Sequence, residues 1–354
     1  MFNERILSMF DLQLFADGAN TAASTQTYLN PNVTTANTAG NDLSPGMRKY
    51  YNKELLENAK DELFFNQFGM DTSLPEGNGK KVQWRKFDSF KPATKPLEEG
   101  VTPDGNKLNM TQIEAEVKQY GDYTTISDML DLTAVDPVIL VCTEEHGAQA
   151  GLTRDILTRN VVVATKNKTY APKVVGDTVT PVEIVGQVTA DCKLIPSVVN
   201  KAVTKLKKNN TPKINGKYVA IIHPSVAEDL RESEGWIEVH KYAATTEIFN
   251  GEIGELHGVR FCETNNAPIT KDGADNCAVY HTLCFGKDAY GKVELAGKAM
   301  EMIVKQMGSG GTADPLDQRG TVGWKGAHAA ALLYEERIVD IISGSSYSNV
   351  DEAN

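Results

Sequence analysis

DLTAVDPVILVCTEEHGAQAGLTRDILTRNVVVATK, residues 131–166, is the stretch whose reading decides the fold. Apolar side chains recur in it at helical spacing: Val135, Val138, Ile139 and Cys142, then Leu152, Ile156, Leu157 and Val161. Asp136 before Pro137 is a good N-cap followed by a proline at the first helical position. The roughly 30 residues that follow would span about 45 Å, more than an ordinary globular helix needs. Gly147 and Gly151 lie one turn apart, where a second backbone can approach or the helix can bend. Taken alone, the stretch reads as a buried core helix.

Working outward, 354 residues can bury a substantial core and divide into two or more lobes. The formal charge of −11 argues against a dedicated nucleic-acid binder, which needs a basic face to displace counterions. No apolar run approaches the roughly 20 residues that cross a bilayer. Glu4, Arg5 and Asp11 interrupt the apolar residues of the opening, so it does not read as a signal peptide. Five scattered cysteines without a C-x-x-C pair read as reduced thiols in a cytoplasmic setting.

The first 41 residues pass from a short apolar anchor, Phe10, Leu12, Leu14 and Phe15, into a tract rich in Thr, Ala and Asn. Such a tract buries too little to offset chain ordering, so it reads as an arm that lies on a neighbour or moves freely. Residues 45–68 predict an amphipathic helix, with Ser44 as N-cap and Gly69 as its stop. Residues 80–90 and 113–126 both alternate as half-buried strands around a Pro- and Gly-rich tip. Together they predict a long two-stranded ribbon, which is marginal alone and needs another lobe or another subunit to hold it. Residues 171–188 predict short strands. An α/β lobe then follows: helix 196–208, buried strand 218–222, and a helix after His223-Pro224-Ser225. Further strands are expected over 277–285, 298–307 and the stretch TVGWKGAHAAALLYEERIVDII.

A search for chemistry comes back empty. Neither a phosphate-cradling G-x-x-x-x-G-K-[ST] nor a strand-linked G-x-G-x-x-G occurs, and GSGG at 308–311 reads as a connector. Cys142 and His146 share a helix face but lack further ligands, so a packed thiol and a helix-face histidine is the better reading. Ser225 reads as a helix N-terminal residue and not as a nucleophile. No catalytic residue, cofactor or metal is expected.

Three stretches carry a resemblance: MFDLQLFADG at 9–18, GEIGELHGVRFCET at 251–264, and DPLDQRGTVGWK at 314–325 followed by AHAAALL, with HPSVAEDL upstream of the last two. In this order and spacing the chain resembles the major capsid protein of tailed bacteriophages. That resemblance implies an α+β chain with the Johnson fold. It divides the chain into an N-terminal arm (1–44), an N-terminal helix (45–70), an extended E-loop ribbon (71–130), a P domain with its spine helix (131–190), an A domain (191–264) and a return to the P domain (265–354).

The function implied is self-assembly into hexamers and pentamers of an icosahedral head enclosing double-stranded DNA. Such a protein resides in the virion and is assembled in the host cytoplasm. Its expected partners are itself, a separate scaffolding protein, a portal and a decoration protein, with DNA only loosely enclosed and no membrane. Lys80, Trp84, Phe87, Phe90, Lys91 and Lys95 are the expected inter-subunit contacts of the ribbon. Lys80, Lys81, Lys86, Lys91 and Lys95 are available for the lysine cross-links some capsids make, but no motif identifies a partner. Trp324 is expected in the core against the spine helix, with Gly147 and Gly151 leaving it room. The rival readings are an encapsulin-type cellular compartment shell and a cytoplasmic α/β enzyme using the lobe at 191–233. The resemblance begins at Met9, which makes Met9 the expected translation start. An intact mass for the particle protein that lacks residues 1–8 is the predicted result, and a mass retaining residues 2–8 would contradict it.

Overall fold

Alternation, apolar runs and turn residues place a series of strands around a few helices. The computed structural model describes residues 27–28 and 63–354, apart from 76, 78, 95, 97–98, 101, 103–104, 135–136, 177, 234–235, 237–251, 296–299 and 311–313. In chain order the elements are β1 (Thr27–Tyr28), α1 (Phe65–Phe68), β2 (Met70–Leu74), β3 (Lys81–Phe87), β4 (Met110–Glu116), β5 (Lys118–Ser127), α2 (Asp128–Thr133) and α3 (Val138–Val163). Then come β6 (Lys168–Tyr170), β7 (Lys173–Val175), β8 (Thr178–Thr180), α4 (Pro196–Lys208), β9 (Tyr218–Ile222), α5 (Pro224–Glu232), β10 (Glu252–Leu256) and β11 (Val259–Glu263). The remainder is β12 (Ile269–Thr270), β13 (Val279–Phe285), β14 (Tyr290–Leu295), β15 (Glu301–Lys305), β16 (Arg319–Leu332) and β17 (Ile338–Ser343). Two compact units share these elements, and both α3 and β16 contribute to each.

The first unit takes in residues 119–151 and 300–326. Its part of β16 pairs with β15 in antiparallel register, Met302 opposite Trp324, and with β5 on the other side. β1 adds to β5 in parallel, Thr27 opposite Thr125. Ser127 caps α2 by accepting from the Leu130 amide at 3.3 Å. Ile126, Leu130 and Val322 form the buried cluster here, with Val138, Ile139 and Cys142 of α3 packed on it.

The second unit holds most of the remaining chain. Its main sheet runs β10-β11-β9-β13-β17-β6, with β12 on β13. One face is covered by α4 and α5, through Val199, Val203, Leu206, Val226 and Leu230. The other is covered by Val162 of α3 together with Phe64, Phe65 and Tyr290. Burial on both faces explains why β9 reads YVAII without alternation. β10 and β11 are joined by His257 and Gly258, both with positive φ, which suits a two-residue hairpin turn following the strand twist. A second group of strands pairs the end of β16 with β14, and β14 with β2 in parallel.

Several expectations need correction. Residues 45–62 of the predicted first helix lie outside the described residues, and Leu63 and Phe64, expected inside it, are not helical. Only the turn α1 is, and Gly69 ends it as predicted. The backbone there is claimed by other partners: the Tyr290 hydroxyl donates to the Phe65 carbonyl at 2.6 Å, and the Asn66 amide donates to Asp155 at 3.0 Å. The long helix is unbroken from Val138 to Val163, running across Gly147 and Gly151. Asp136 lies outside the described residues.

The greatest surprise is which face of α3 is buried. Leu152, Ile156, Leu157 and Val161 are only half-buried, whereas Asp155, Thr158 and Arg159 are enclosed along with Val162. Buried polar groups of this kind must be hydrogen-bonded to be tolerated. Asp155 accepts from the Asn66 amide and from Asn266 Nδ2 at 2.8 Å, and Arg159 Nη1 donates to Asn266 Oδ1 at 2.9 Å. Burial nevertheless raises the Asp155 pKa. Thr158 Oγ1 lies 3.0 Å from His328 Nε2. His328 Nδ1 is buried without a partner, and Arg154 and Lys292 place positive charge nearby.

Burial above all, with those two cations added, lowers the His328 pKa from 6.5 to about 4. As pH falls, the unfolded chain therefore takes up this proton first. The stabilisation from keeping His328 neutral is complete above pH 6.5 and is lost towards pH 4, in all about 3 kcal/mol. Asp155, shifted upward, works in the opposite sense, so the comparison is with a variant. Between pH 7 and 4 the wild-type protein should lose about 3 kcal/mol more than His328→Gln, read from denaturant midpoints at each pH. Parallel pH profiles for the two proteins would contradict this.

Candidate functional site

The alternation seen in the sequence builds a ribbon with two different ends. β3 and β4 pair in antiparallel register from Lys81–Glu116 to Phe87–Met110, and the Asp88 amide donates to the Asn109 carbonyl at 3.2 Å. The second arm is thus 110–116 and not 113–126. It closes where the Val117 amide donates to the Lys80 carbonyl at 2.8 Å, and β5 then pairs elsewhere, in the first unit.

The base of the ribbon is held by its own chain. Val82, Trp84, Ile113 and Ala115 pack with Leu74, Val293, Ala329 and Ala331. The Trp84 indole donates to Thr72 Oγ1 at 3.2 Å, and its ring lies where any side chain on Gly291 would meet it at 3.1 Å. Lys86 forms an ion pair with Glu336 at 3.1 Å and sits over the Tyr334 ring. Trp84, expected at an inter-subunit contact, is therefore engaged inside its own chain. Something outside the ribbon does hold it down, and at the base that something is another part of the same subunit.

The far end differs. Phe87, Phe90, Leu108 and Met110 are 54%, 59%, 58% and 45% exposed, with Phe87 directly opposite Met110. Lys91 is exposed beside them, Lys80 is exposed at the base, and Lys95 lies outside the described residues. Leu108 and Met110 were missing from the sequence reading. Their signal was the alternation Leu108, Met110 against Asn109 and Thr111 just before the arm. An exposed cluster of large apolar side chains on a narrow ribbon is costly in water and marks an interaction surface.

Among the described residues no group of three His, Cys, Asp or Glu side chains could hold a metal ion. His146 lies 3.0 Å from Thr124 Oγ1 and 3.2 Å from Gln149 Oε1, while Cys142 packs in the first unit's core. His223 caps α5 by accepting from the Ser225 amide at 3.2 Å, so Ser225 is a helix-start residue as predicted. No described helix is long and apolar enough to cross a membrane.

A model of the phage capsid protein family matches residues 111–340. The chain belongs to that family. It is a structural protein of the phage head shell and not an enzyme. Solved structures agree on the fold. The capsid of Cyanophage P-SCSP1u is 14% identical over 91% of this chain and 100% of its own, with a TM-score of 0.64. The capsid of Ralstonia phage GP4 is 13% identical over 91% and 100%, with a TM-score of 0.61. The capsid of Cyanophage Pam1 is 14% identical over 86% and 98%, with a TM-score of 0.62. The architecture is accordingly the α+β Johnson fold of phage capsid proteins. No curated protein matches the chain.

Trp324, expected in the core, is 5% exposed. Its Nε1 donates to Gln149 Oε1 at 2.9 Å, on the helix between the two glycines singled out. The proposed reason was wrong in one respect: a Cβ at Gly147 would meet nothing within 4 Å, so that glycine makes no room for the ring. The close approach belongs to the strands, where a Cβ at Gly121 would lie 2.5 Å from the Trp324 carbonyl oxygen and one at Gly323 would lie 2.6 Å from Tyr123 Cβ. Trp324→Ala removes a buried ring and leaves Gln149 without that donor. A loss of about 3–5 kcal/mol is expected, measured by chemical denaturation of the subunit. A wild-type denaturation midpoint would place the ring outside the core's energetics.

Proposed function

We propose that this chain is the repeating subunit of an icosahedral head, arranged in hexamers and pentamers, and that the ribbon tip is one of the surfaces by which neighbouring subunits hold each other. The observation that carries this reading is the split character of the ribbon. Its base is packed on its own subunit through Trp84, while Phe87, Phe90, Leu108 and Met110 at the tip are left to solvent. A capsid subunit has identical neighbours in many copies, so modest contacts repeated around a closed shell add up to a stable particle.

In this reading the segments keep the roles the resemblance implies. Residues 1–44 act as an arm, 71–130 carry the E-loop, 131–190 and 265–354 form the P domain, and 191–264 form the A domain. Lys80 and Lys91 are exposed and suit polar contacts at the edge of that interface. The net charge of −11 suits a wall that encloses DNA without gripping it. A separate scaffolding protein, a portal and a decoration protein complete the particle, which assembles in the host cytoplasm.

Replacing residues 88–109 by a two-residue Asn-Gly turn, a deletion that removes Phe90 and Leu108 together with the Pro- and Gly-rich tip, tests the assembly role. The base packing around Trp84 survives, so the subunit should stay soluble and folded, with its far-UV circular dichroism retained. The shell should not form, or should fall apart at temperatures the intact particle withstands. Particles of normal size and thermal stability from the deletion variant would show that the tip holds nothing together.

A further inference from the structure

The last strand, β17, is buried along its whole length, and burial of large side chains stops where it ends. Residues 344–354 continue as a strap over the second unit. Tyr347 and Val350 in it are 71% and 74% exposed, and Ala353 is exposed as well. No apolar side chain of this segment is buried. What holds it is polar throughout.

The anchors form three groups. Near its start, the Gly344 amide donates to the Cys192 carbonyl at 2.8 Å and Ser345 Oγ donates to the Ser225 carbonyl at 2.8 Å. The Ser346 amide and hydroxyl both donate to the buried carboxylate of Asp229 on α5. In the middle, the Asn349 carbonyl accepts the Ala278 amide at 2.9 Å, and Asp351 accepts from the Tyr280 hydroxyl at 2.6 Å and from Ser225 Oγ at 3.4 Å. At the end, Asn354 Oδ1 accepts the Ile269 amide at 3.0 Å, Asn354 Nδ2 donates to the Ala267 carbonyl at 3.2 Å, and Glu352 pairs with Lys271 at 2.9 Å. One segment thus ties together α5, the edge strand β12, and the turn before it.

We propose that residues 344–354 are a releasable latch, which detaches from the second unit in one step while the sheet beneath it stays folded. The physical basis is the contrast across Ser343. Detaching the strap withdraws no buried apolar side chain of its own, and each hydrogen bond it gives up can be exchanged for one to water. Detaching β17 would open the centre of a sheet that is buried on both faces. Segments with few buried apolar contacts open far below the free energy of global unfolding. Release would be concerted because the anchoring residues Ser346, Asp351 and Asn354 lie along one short chain. Losing the middle anchor lengthens the unsupported span between the others and loosens both. The state it produces has the Ile269 and Ala278 amides uncovered, while α5 stays packed on the sheet through Val226 and Leu230.

Hydrogen exchange on the purified full-length protein tests this. The amides of Ile269, Ala278 and Ser346 should exchange at one common rate, at least about 100-fold faster than those of Leu283 and Ile341 in the central strands β13 and β17. Asp351→Asn removes a charged acceptor and should speed the first three by about a further tenfold, leaving Leu283 and Ile341 unchanged. The latch is overturned if the strap-held amides exchange as slowly as those of the central strands. It is overturned equally if Asp351→Asn accelerates both groups alike, or if the three amides open at unrelated rates, as in fraying from the end.

Discussion

A carboxylate with no exposure to water is the constraint on which the second unit depends. Asp155 sits on the enclosed face of the long helix, and leaving a charge there unpaired would cost several kcal/mol. It is tolerated because the chain brings it the Asn66 amide and the Asn266 side chain, with Arg159 close enough to favour its charge. Those donors come from segments 89 and 111 residues away. Satisfying one side chain therefore fixes the short turn α1 and the turn after β11 against the same helix. Thr158, one turn on, extends the arrangement to His328 of β16. Apolar packing alone would permit neighbouring registers of that helix; a set of directional bonds around a buried charge does not.

The same economy appears in the ribbon. A two-stranded ribbon buries too little to stand alone, and here it is stabilised over only part of its length. Trp84 supplies the intramolecular anchor, Lys86 adds an exposed ion pair, and the apolar residues beyond Phe87 have no partner of their own chain among the contacts described. A subunit built this way is folded but unfinished, which is the physical condition for assembly from identical copies.

Much of this was legible in the sequence because it follows from periodicity. The alternation around Trp84, the unbroken run in β9, the amphipathic α4 and the His-Pro-Ser helix start each encode one element locally. The long helix was legible in extent but misread in orientation. Its apolar residues at 152, 156, 157 and 161 suggested the buried face, and nothing local announces that Asp155 and Arg159 are the enclosed ones. Their partners are set by tertiary structure. The end of the ribbon at Glu116 was hidden for a related reason: β4 and β5 are one continuous alternating stretch, and only pairing decides where it changes neighbours. Leu108 and Met110 alternate too, but a two-residue signal beside a Pro- and Gly-rich tip is short. The resemblance carried what periodicity could not, since motif order across the chain reports a whole fold.

The pairing of β17 with β6 has a consequence for synthesis. Asn167 and Ile338 are hydrogen-bonded neighbours 171 residues apart in the chain. β6 therefore leaves the ribosome long before the strand that covers it exists, and β13 likewise waits for its neighbour. At the usual 5–20 residues per second the interval is roughly ten to thirty seconds. In its last part, once β13 has been made, the nascent chain carries an apolar sheet with an open edge, and its apolar ribbon tip was made earlier. Many ribosomes making this protein at once thus hold complementary sticky surfaces on unfinished chains. Crowding of nascent chains at that stage favours edge-to-edge association over completion of each subunit.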